Sequence, residues 1–302
     1  MKDLFLALLL PFTVLSCADQ SADEWDKPVN HAFLKENMAW AFNWSKPMPA
    51  FKVIGNLYGV GTYDLGIFLV ASESGHILIN TGVEGSYHQI QDNMTALGLE
   101  IRDIKILLTM QAHWDHVAEF ARIKAISNAE VWATAADAVL LEDGGFSDPL
   151  LGGEDGFLFR PVPVDKILQD GDVIEVGENR LVLHEQPGHT PGSASYSMVV
   201  SEGGTDYEVL IVNMATINPG TQLTNEPTYA GIKADFAKTF ASQKQMHPDV
   251  WVASHAGFYG LHEKLTANPS YNPRRFYDPS GYPLAIAEFE KAFQEQLRSE
   301  QD

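Results

Sequence analysis

The sequence predicts an α/β fold in which two similar layers pack together as one domain. In both halves of the chain, short apolar segments of strand length are followed by segments of helical periodicity. No linker rich in Pro, Gly or Ser separates the halves, and no short repeat is present. The length of 302 residues and the 45% hydrophobic content are typical of a globular protein with a sizeable core.

The first layer is predicted from alternating apolar and helical segments that turn residues separate. The expected strands cover residues 56–60, 66–71, 76–80, 104–109 and 131–133. The expected helices cover residues 86–97, 117–126 and 135–141. Residues 144–156 are rich in Gly and Asp, which indicates a loop; we refer to this segment as the 144–156 loop.

The second layer begins near Val173 and repeats the same order of elements. Strands are expected at residues 173–176, 181–185, 195–200, 207–213 and 250–253, with a hairpin turn at 201–204. Helices are expected at residues 230–242 and 284–297. Apolar residues of the last helix share one face, which predicts packing against the core.

The N-terminus has the pattern of an export signal. Lys2 precedes an apolar run over residues 4–15, which is shorter than the roughly 20 residues that cross a bilayer. We therefore predict a signal peptide over residues 1–17, a tether and lead-in over 18–40, and a single domain over 41–302. Cys17 is either lipidated, which gives a membrane-anchored lipoprotein, or removed, which gives a free periplasmic protein.

The charge and cysteine content argue against several classes of function. The formal net charge of −20 disfavours nucleic acid and anionic lipid as partners, because binding them requires Lys and Arg. Cys17 is the only cysteine, so the mature domain is predicted to contain no disulfide and no thiolate metal ligand. Nothing in the sequence indicates a protein partner.

Three predicted strands are each followed by a loop that contains histidine. These loops are residues 111–116, 188–190 and 254–257. Ligands in α/β folds often bind at the carboxyl ends of strands, so the three loops are expected to converge. Imidazole and carboxylate are ligands that zinc accepts when no thiolate is available. The sequence therefore predicts a zinc site.

Spacing within the first loop supports the same interpretation. In an extended turn, alternate residues point the same way, so Gln111, His113 and Asp115 are expected to share a side. Asp115 and His116 would then reach two neighbouring metals, or two sides of one. The chain has ten histidines, and six fit no such pattern, so we interpret them as surface or core residues: His31, His76, His88, His184, His247 and His262.

These motifs together resemble the metallo-β-lactamase superfamily. The run Gln111-Ala-His-Trp-Asp-His116 is similar to its His-x-His-x-Asp-His signature, with the first histidine replaced. Later segments resemble the third subclass of class B β-lactamases: residues 188–193 (Gly-His-Thr-Pro-Gly-Ser), 218–221 (Asn-Pro-Gly-Thr) and 254–262 (Ser-His-Ala-Gly-Phe-Tyr-Gly-Leu-His). GOB-type members of that subclass also carry Gln at the first position and Met where Met214 stands. The resemblance implies an αβ/βα sandwich with metals in the cleft between the sheet edges.

The resemblance also implies a set of site residues. A first zinc site would consist of Gln111, His113 and His189, and a second of Asp115, His116 and His255. Asp115 would also orient the attacking water. Independently of the resemblance, we predict that Thr216 contacts the substrate through its hydroxyl group, the alternative being a plain turn residue after a strand, and that Met214 lines the pocket. Asn80 stands where the superfamily usually has Asp, behind the metal ligands.

The implied function is zinc-dependent hydrolysis of the β-lactam amide bond by a water that the metal activates. Gln111 offers a neutral amide oxygen, so we expect one or two zinc ions, with the second site tighter. Two alternatives remain open from the sequence. One is a lactonase or thioesterase of the same superfamily, and the other is a catalytically weak zinc-binding protein whose site Gln111 and Asn80 have altered.

Overall fold

The computed structural model describes residues 25–27, 29 and 42–301. The predicted signal peptide, including Cys17, and most of the predicted lead-in lie outside the described residues. Among the residues that the structure describes, no helix combines the length and the apolar character needed to cross a membrane.

A seven-stranded sheet forms the first layer, and its strands follow one another in chain order. Strands β1 to β4 pair antiparallel, and β4 to β7 pair parallel. The strands are β1 (Phe51–Ile54), β2 (Leu57–Gly59), β3 (Phe68–Val70), β4 (His76–Ile79), β5 (Ile104–Leu108), β6 (Glu130–Thr134) and β7 (Lys166–Leu168).

A five-stranded sheet forms the second layer, in the order β12-β11-β10-β9-β8. Its pairs are antiparallel except for β11 and β12, which are parallel. The strands are β8 (Val173–Val176), β9 (Asn179–Glu185), β10 (Ala194–Glu202), β11 (Thr205–Val212) and β12 (Val250–Ala253).

Helices accompany both sheets. Among the described residues, the α-helices are α1 (Phe42–Ser45), α2 (Ser86–Ala96), α3 (Trp114–Val117), α4 (Phe120–Ser127), α5 (Ala135–Asp143), α6 (Ile232–Gln243), α7 (Leu261–Ala267) and α8 (Gly281–Ser299). Short 3-10 turns lie at Ile101–Asp103 and Ala256–Phe258.

The central strands of the first sheet are buried on both faces. Ile77 and Ile79 of β4 belong to the core cluster that also contains Tyr196 and Ile211 of the second sheet. Leu78, between them, belongs to a separate cluster with residues of α2 and α4. Since successive side chains of a strand point to opposite faces, one face of the first sheet packs on the second sheet and the other on helices. The predicted αβ/βα sandwich is confirmed.

The structure differs from the predicted helix over 117–126 and from the predicted extended turn before it, because helical structure begins earlier and is interrupted. Residues Trp114–Val117 form one helical turn, α3, and α4 begins only at Phe120. The helix breaks between them because the backbone N–H of Ala118 donates to the carbonyl oxygen of Gly82 (3.1 Å), and that of Glu119 donates to the hydroxyl of Thr81 (3.2 Å). Contacts with the segment after β4 thus replace helical hydrogen bonds, which local periodicity does not reveal.

Four short elements were missing from the sequence prediction: β1, β7, α1 and α7. Strand β7 has three residues, of which Lys166 and Ile167 are exposed, so it shows no apolar alternation. Pairing with β6 makes it a strand, and this pairing is a tertiary interaction.

Candidate metal centre

The first histidine loop leaves the carboxyl end of β5 through a local hydrogen-bonded turn. The hydroxyl of Thr109 accepts the backbone N–H of Gln111 (3.1 Å) and donates to the carbonyl oxygen of the same residue (2.5 Å). His113 has extended backbone angles and precedes α3, so Asp115 and His116 lie in the first helical turn. This turn directs both side chains into the interior, where they are almost fully buried.

Asp115, His116 and His255 form a compact group of potential metal ligands. One ligand atom from each lies within 4.8 Å of the others. The Oδ2 atom of Asp115 is 3.1 Å from Nε2 of His116 and 3.6 Å from Nε2 of His255. The sequence separates His255 from the other two by a long stretch of chain, and β12 brings it back to the site.

His113 and His189 form the second part of the site. Nδ1 of His113 and Nε2 of His189 are 3.1 Å apart, and their rings meet edge to face. Two lone pairs cannot face each other at this distance, so either a proton or a metal ion belongs between them. Gln111, the third predicted ligand of this part, is buried, with 3% of its surface exposed.

Acceptor groups stand behind three of the four histidines. Nδ1 of His189 donates to the carbonyl oxygen of Thr216 (2.9 Å), and Nδ1 of His255 donates to Oδ2 of Asp64 (3.1 Å). Nε2 of His113 lies 3.2 Å from Oδ2 of Asp148. In each case an acceptor fixes the proton on the outer nitrogen and leaves the inner nitrogen free for a metal.

Asn80 stands behind the fourth histidine, His116, and differs from the others. Its Nδ2 lies 3.3 Å from Nδ1 of His116 and donates to the carbonyl oxygen of Gly66 (3.1 Å). Its Oδ1 accepts the backbone N–H of Met110 (3.0 Å), so the amide cannot turn over without losing both backbone contacts. Asn80 therefore turns a hydrogen-bond donor towards His116, whereas each of the other three histidines has a hydrogen-bond acceptor at its outer nitrogen.

Asp137 joins two of the ligand loops from the first turn of α5. Its Oδ2 accepts the backbone N–H of Ala112 (2.8 Å), and its Oδ1 accepts that of Gly192 (3.0 Å). Asp137 is 1% exposed, and burial raises the pKa of its carboxyl group to about 6.

The electrostatic environment favours an ionised Asp115 and lowers the pKa of two neighbouring histidines, His116 and His189. Burial would raise the pKa of Asp115, but the imidazole of His116, followed by those of His255 and His113, holds it well below its usual range. Burial lowers the pKa of His116, and burial together with His113 lowers the pKa of His189 to about 3. Burial would also lower the pKa of His113, but the carboxylate of Asp148 outweighs burial and raises it.

The donor set fits a zinc ion. It consists of imidazole nitrogens and a carboxylate, without thiolate, which is a ligand set found in catalytic zinc sites. Nε2 of His116 is completely buried and has no hydrogen-bond partner among the described residues, although Asp115 lies close to it. A buried polar atom without a partner is costly, and a metal ion in this position would satisfy it.

The two residues predicted to contact the substrate lie in different environments. The hydroxyl of Thr216 is 2.8 Å from Nδ1 of His189, so Thr216 supports His189 through both its hydroxyl and its carbonyl oxygen. Met214 is 1% exposed and packs in the core shared by the two sheets, which leaves a substrate almost no surface to touch. A contact of either residue with substrate stays a prediction.

Sequence reasoning did not identify Asp64, Asp137 or Asp148 as parts of the site. Each lies far from its partner along the chain; Asp64 and His255 are 191 positions apart. The Asp-rich composition of the 144–156 loop was the only signal near Asp148, and it does not indicate which carboxylate points inward.

The family follows from comparison with known proteins. The model of the metallo-β-lactamase superfamily matches residues 67–201. A β-lactamase from Chitinophaga pinensis is 42% identical, with a TM-score of 0.82 over 85% of this chain and 97% of that chain. The chain belongs to the metallo-β-lactamase superfamily.

Other similar structures are of class B3. A class B3 di-zinc metallo-β-lactamase from an Alaskan soil metagenome is 40% identical, with a TM-score of 0.81 over 85% of this chain and 97% of that chain. The metallo-β-lactamase GOB-18 from Elizabethkingia meningoseptica is 38% identical, with a TM-score of 0.82 over 85% and 95%. The chain spans only 43% and 62% of the length of two curated relatives that it matches in sequence.

Proposed function

We propose that this protein is a zinc-dependent β-lactamase that hydrolyses the amide bond of the β-lactam ring. The observation that carries the proposal is the convergence of Asp115, His116 and His255 beside the facing pair His113 and His189. High identity to β-lactamases over nearly all of the described chain supports the choice of substrate class.

Two groups of residues would hold zinc. Gln111, His113 and His189 would form the first site, and Asp115, His116 and His255 the second. When bound, zinc lowers the pKa of a coordinated water from about 15.7 towards 7 and polarises a carbonyl group, so hydrolysis needs no activated serine.

The side chains of this protein bind and orient the reacting groups. Asp115 remains ionised because the surrounding imidazoles lower its pKa, so it can accept a hydrogen bond from the attacking water and hold it in place. The rings of Trp44 and Trp114 lie 5.8 Å apart, and Phe157 stacks on Trp114 at 5.5 Å. We propose that these partly buried rings form an apolar wall for the substrate.

The second site is proposed to bind zinc more tightly than the first. It contains a carboxylate, whereas the first site has only neutral ligands, one of them the amide of Gln111. Gln111→His should raise first-site affinity, because imidazole is the better zinc ligand. Stepwise zinc titration against a chromophoric chelator measures both affinities. Two equally tight sites in the unmodified protein would contradict this order.

Turnover assays test the function. The purified protein, incubated with a penicillin, a cephalosporin and a carbapenem, should open the ring of at least one of them. A chelator should abolish turnover, and added zinc should restore it. Hydrolysis of lactones or thioesters without any β-lactam turnover, or no turnover with zinc bound, would overturn the proposal.

Asp115→Ala should reduce kcat/KM by more than about 100-fold, because it removes both a zinc ligand and the group that orients water; loss of a mere supporting partner costs about 10- to 100-fold. Asp155→Ala, which removes an exposed carboxylate of the 144–156 loop, is the matched control and should retain normal turnover. Normal turnover and zinc content in Asp115→Ala would contradict the assigned role.

We also propose that the single domain over residues 41–302 acts outside the cytoplasm, where β-lactam targets lie. The apolar run before Cys17 supports export, with either a free periplasmic or a lipid-anchored product. Labelling with radioactive palmitate distinguishes the two, because only a lipoprotein incorporates label and loses it in a Cys17→Ala variant.

A further inference from the structure

The carboxylate of Asp148 contacts both a histidine of the site and the backbone of the loop on which Asp148 lies. Its Oδ2 is 3.2 Å from Nε2 of His113, and both side chains are 5% exposed. Its Oδ1 accepts the backbone N–H groups of Leu150 (2.9 Å) and Leu151 (2.6 Å). One carboxylate thus contacts a predicted zinc ligand and also closes the turn of the loop on which it lies.

The contact with His113 selects one form of its imidazole. A carboxylate only accepts hydrogen bonds, so His113 must carry a proton on Nε2. In the neutral ring this leaves the lone pair on Nδ1, the nitrogen that faces His189. This is the tautomer that can bind a metal between the two histidines.

The contact with the backbone organises the 144–156 loop. The carbonyl oxygen of Asp148 accepts the backbone N–H of Gly152 (3.1 Å). The backbone N–H of Asp148 donates to the carbonyl oxygen of Gly145 (3.1 Å). Further along, the N–H of Phe157 donates to Leu151 (2.8 Å). Leu150 lines a small cavity together with His189, so the ordered loop lies against the first site.

We propose that Asp148 is a positioning residue that couples zinc binding at the first site to ordering of the 144–156 loop. With zinc held at the first site, His113 would keep its proton on Nε2, and this proton would strengthen the contact with Asp148 and so the turn of the loop. By thermodynamic reciprocity, an ordered loop strengthens zinc binding at the first site by the same factor. The inference rests on the proposed zinc site and does not depend on the identity of the substrate.

Two variants separate the parts of the coupling. Asp148→Ala removes both contacts. Asp148→Asn keeps the size and the ability to close the turn, but its amide then faces His113 with an N–H group and favours the proton on Nδ1, where it blocks zinc. Asp155→Asn makes the same charge change at an exposed position of the same loop and serves as the control.

Zinc affinity gives the first measurement. Both Asp148 variants should bind first-site zinc about 10- to 100-fold more weakly, as expected when the group behind a ligand histidine is lost. Second-site affinity should be unchanged, which also shows that the variants fold. A His255→Ala variant, which weakens the second site, assigns the two steps of the titration. Unchanged first-site affinity in both Asp148 variants would overturn the proposal.

Hydrogen exchange and NMR give readouts that do not depend on turnover. In the unmodified protein, raising zinc from one to two equivalents should slow amide exchange over residues 146–153, and in Asp148→Ala it should not. The ¹⁵N shifts of His113 should place its proton on Nε2 in the unmodified protein and on Nδ1 in Asp148→Asn. Loop exchange that ignores the second equivalent, or uptake of a single zinc at saturation, would overturn the coupling. If the unmodified protein shows the expected zinc affinities, hydrogen exchange and NMR shifts but does not hydrolyse β-lactams, only the proposed function is overturned.

Discussion

Asn80 is the side chain that contacts His116, one of the predicted metal ligands, from behind. It adopts a left-handed backbone conformation (φ 65°) directly after β4, which Asn and Asp tolerate better than most residues. Its amide satisfies the backbone of Gly66 and Met110, and this orientation turns an N–H group towards Nδ1 of His116. If Nε2 of His116 were to hold zinc, the neutral ring would carry its proton on Nδ1, and the N–H group of Asn80 opposes this form.

Asn80→Asp should therefore tighten zinc at the second site, by about 10-fold, because a carboxylate accepts the Nδ1–H of His116. The metal-free protein should become less stable, since an oxygen of the new carboxylate would lie near the carbonyl oxygen of Gly66, where the amide now donates. Zinc titration and thermal unfolding with a chelator measure the two effects.

Asn93→Asp is the matched control for this change. Asn93, which lies on α2, is also buried, and it donates to the carbonyl oxygens of Met48 and Val60. It should lose stability without any change in zinc affinity. A similar change in zinc affinity in both variants would show that added negative charge, and not the contact with His116, is responsible.

At the scale of elements, the C-terminal helix α8 supports the site through a series of rings. Phe289 of α8 contacts Phe258 (5.2 Å between ring centroids), and Phe258 contacts His255 (5.1 Å). Further along α8, Phe293 stacks on Phe236 (5.5 Å) and packs against Phe240 (5.6 Å) of α6. Helix α8 therefore packs against the part of the second layer that carries His255.

Phe293→Ala should lower the free energy of unfolding by about 3–5 kcal/mol, because it removes one of three packed aromatic rings and leaves a cavity beside Phe236 and Phe240. Leu284→Ala in the same helix is the control, since Leu284 is 71% exposed; its effect should stay within about 0.5 kcal/mol. Denaturant unfolding of the zinc-loaded protein measures both. Equal effects would mean that α8 does not pack as described.

At the scale of the whole molecule, the excess of acidic groups opposes folding. The chain has 40 Asp and Glu residues against 20 Lys and Arg, and removal of residues 1–17 leaves the difference unchanged because that segment carries one Lys and one Asp. Repulsion among surface carboxylates raises the free energy of the compact state, and salt screens it over distances beyond a few ångströms.

Raising NaCl to about 0.5 M should therefore increase the Tm of the zinc-loaded protein, since screening relieves repulsion more in the folded state than in the expanded chain. Differential scanning calorimetry checks this expectation, with KCl as a control for a specific effect of sodium. A Tm that falls or stays constant would mean that local ion pairs, such as Lys52 with Glu202, outweigh the net repulsion.

The sequence by itself determined the fold class, most strands and the histidine loops. Alternating apolar residues specify strands locally, and the stretch from Gln111 to His116 keeps several ligand residues within one loop. The tertiary structure decided what stands behind each predicted ligand: Asp148 for His113, Asn80 for His116. These partners come from separate elements, and their contacts depend on how the two layers pack. Hydrogen bonds across such distances leave no periodic signal in the sequence, yet they fix the tautomers on which metal binding depends.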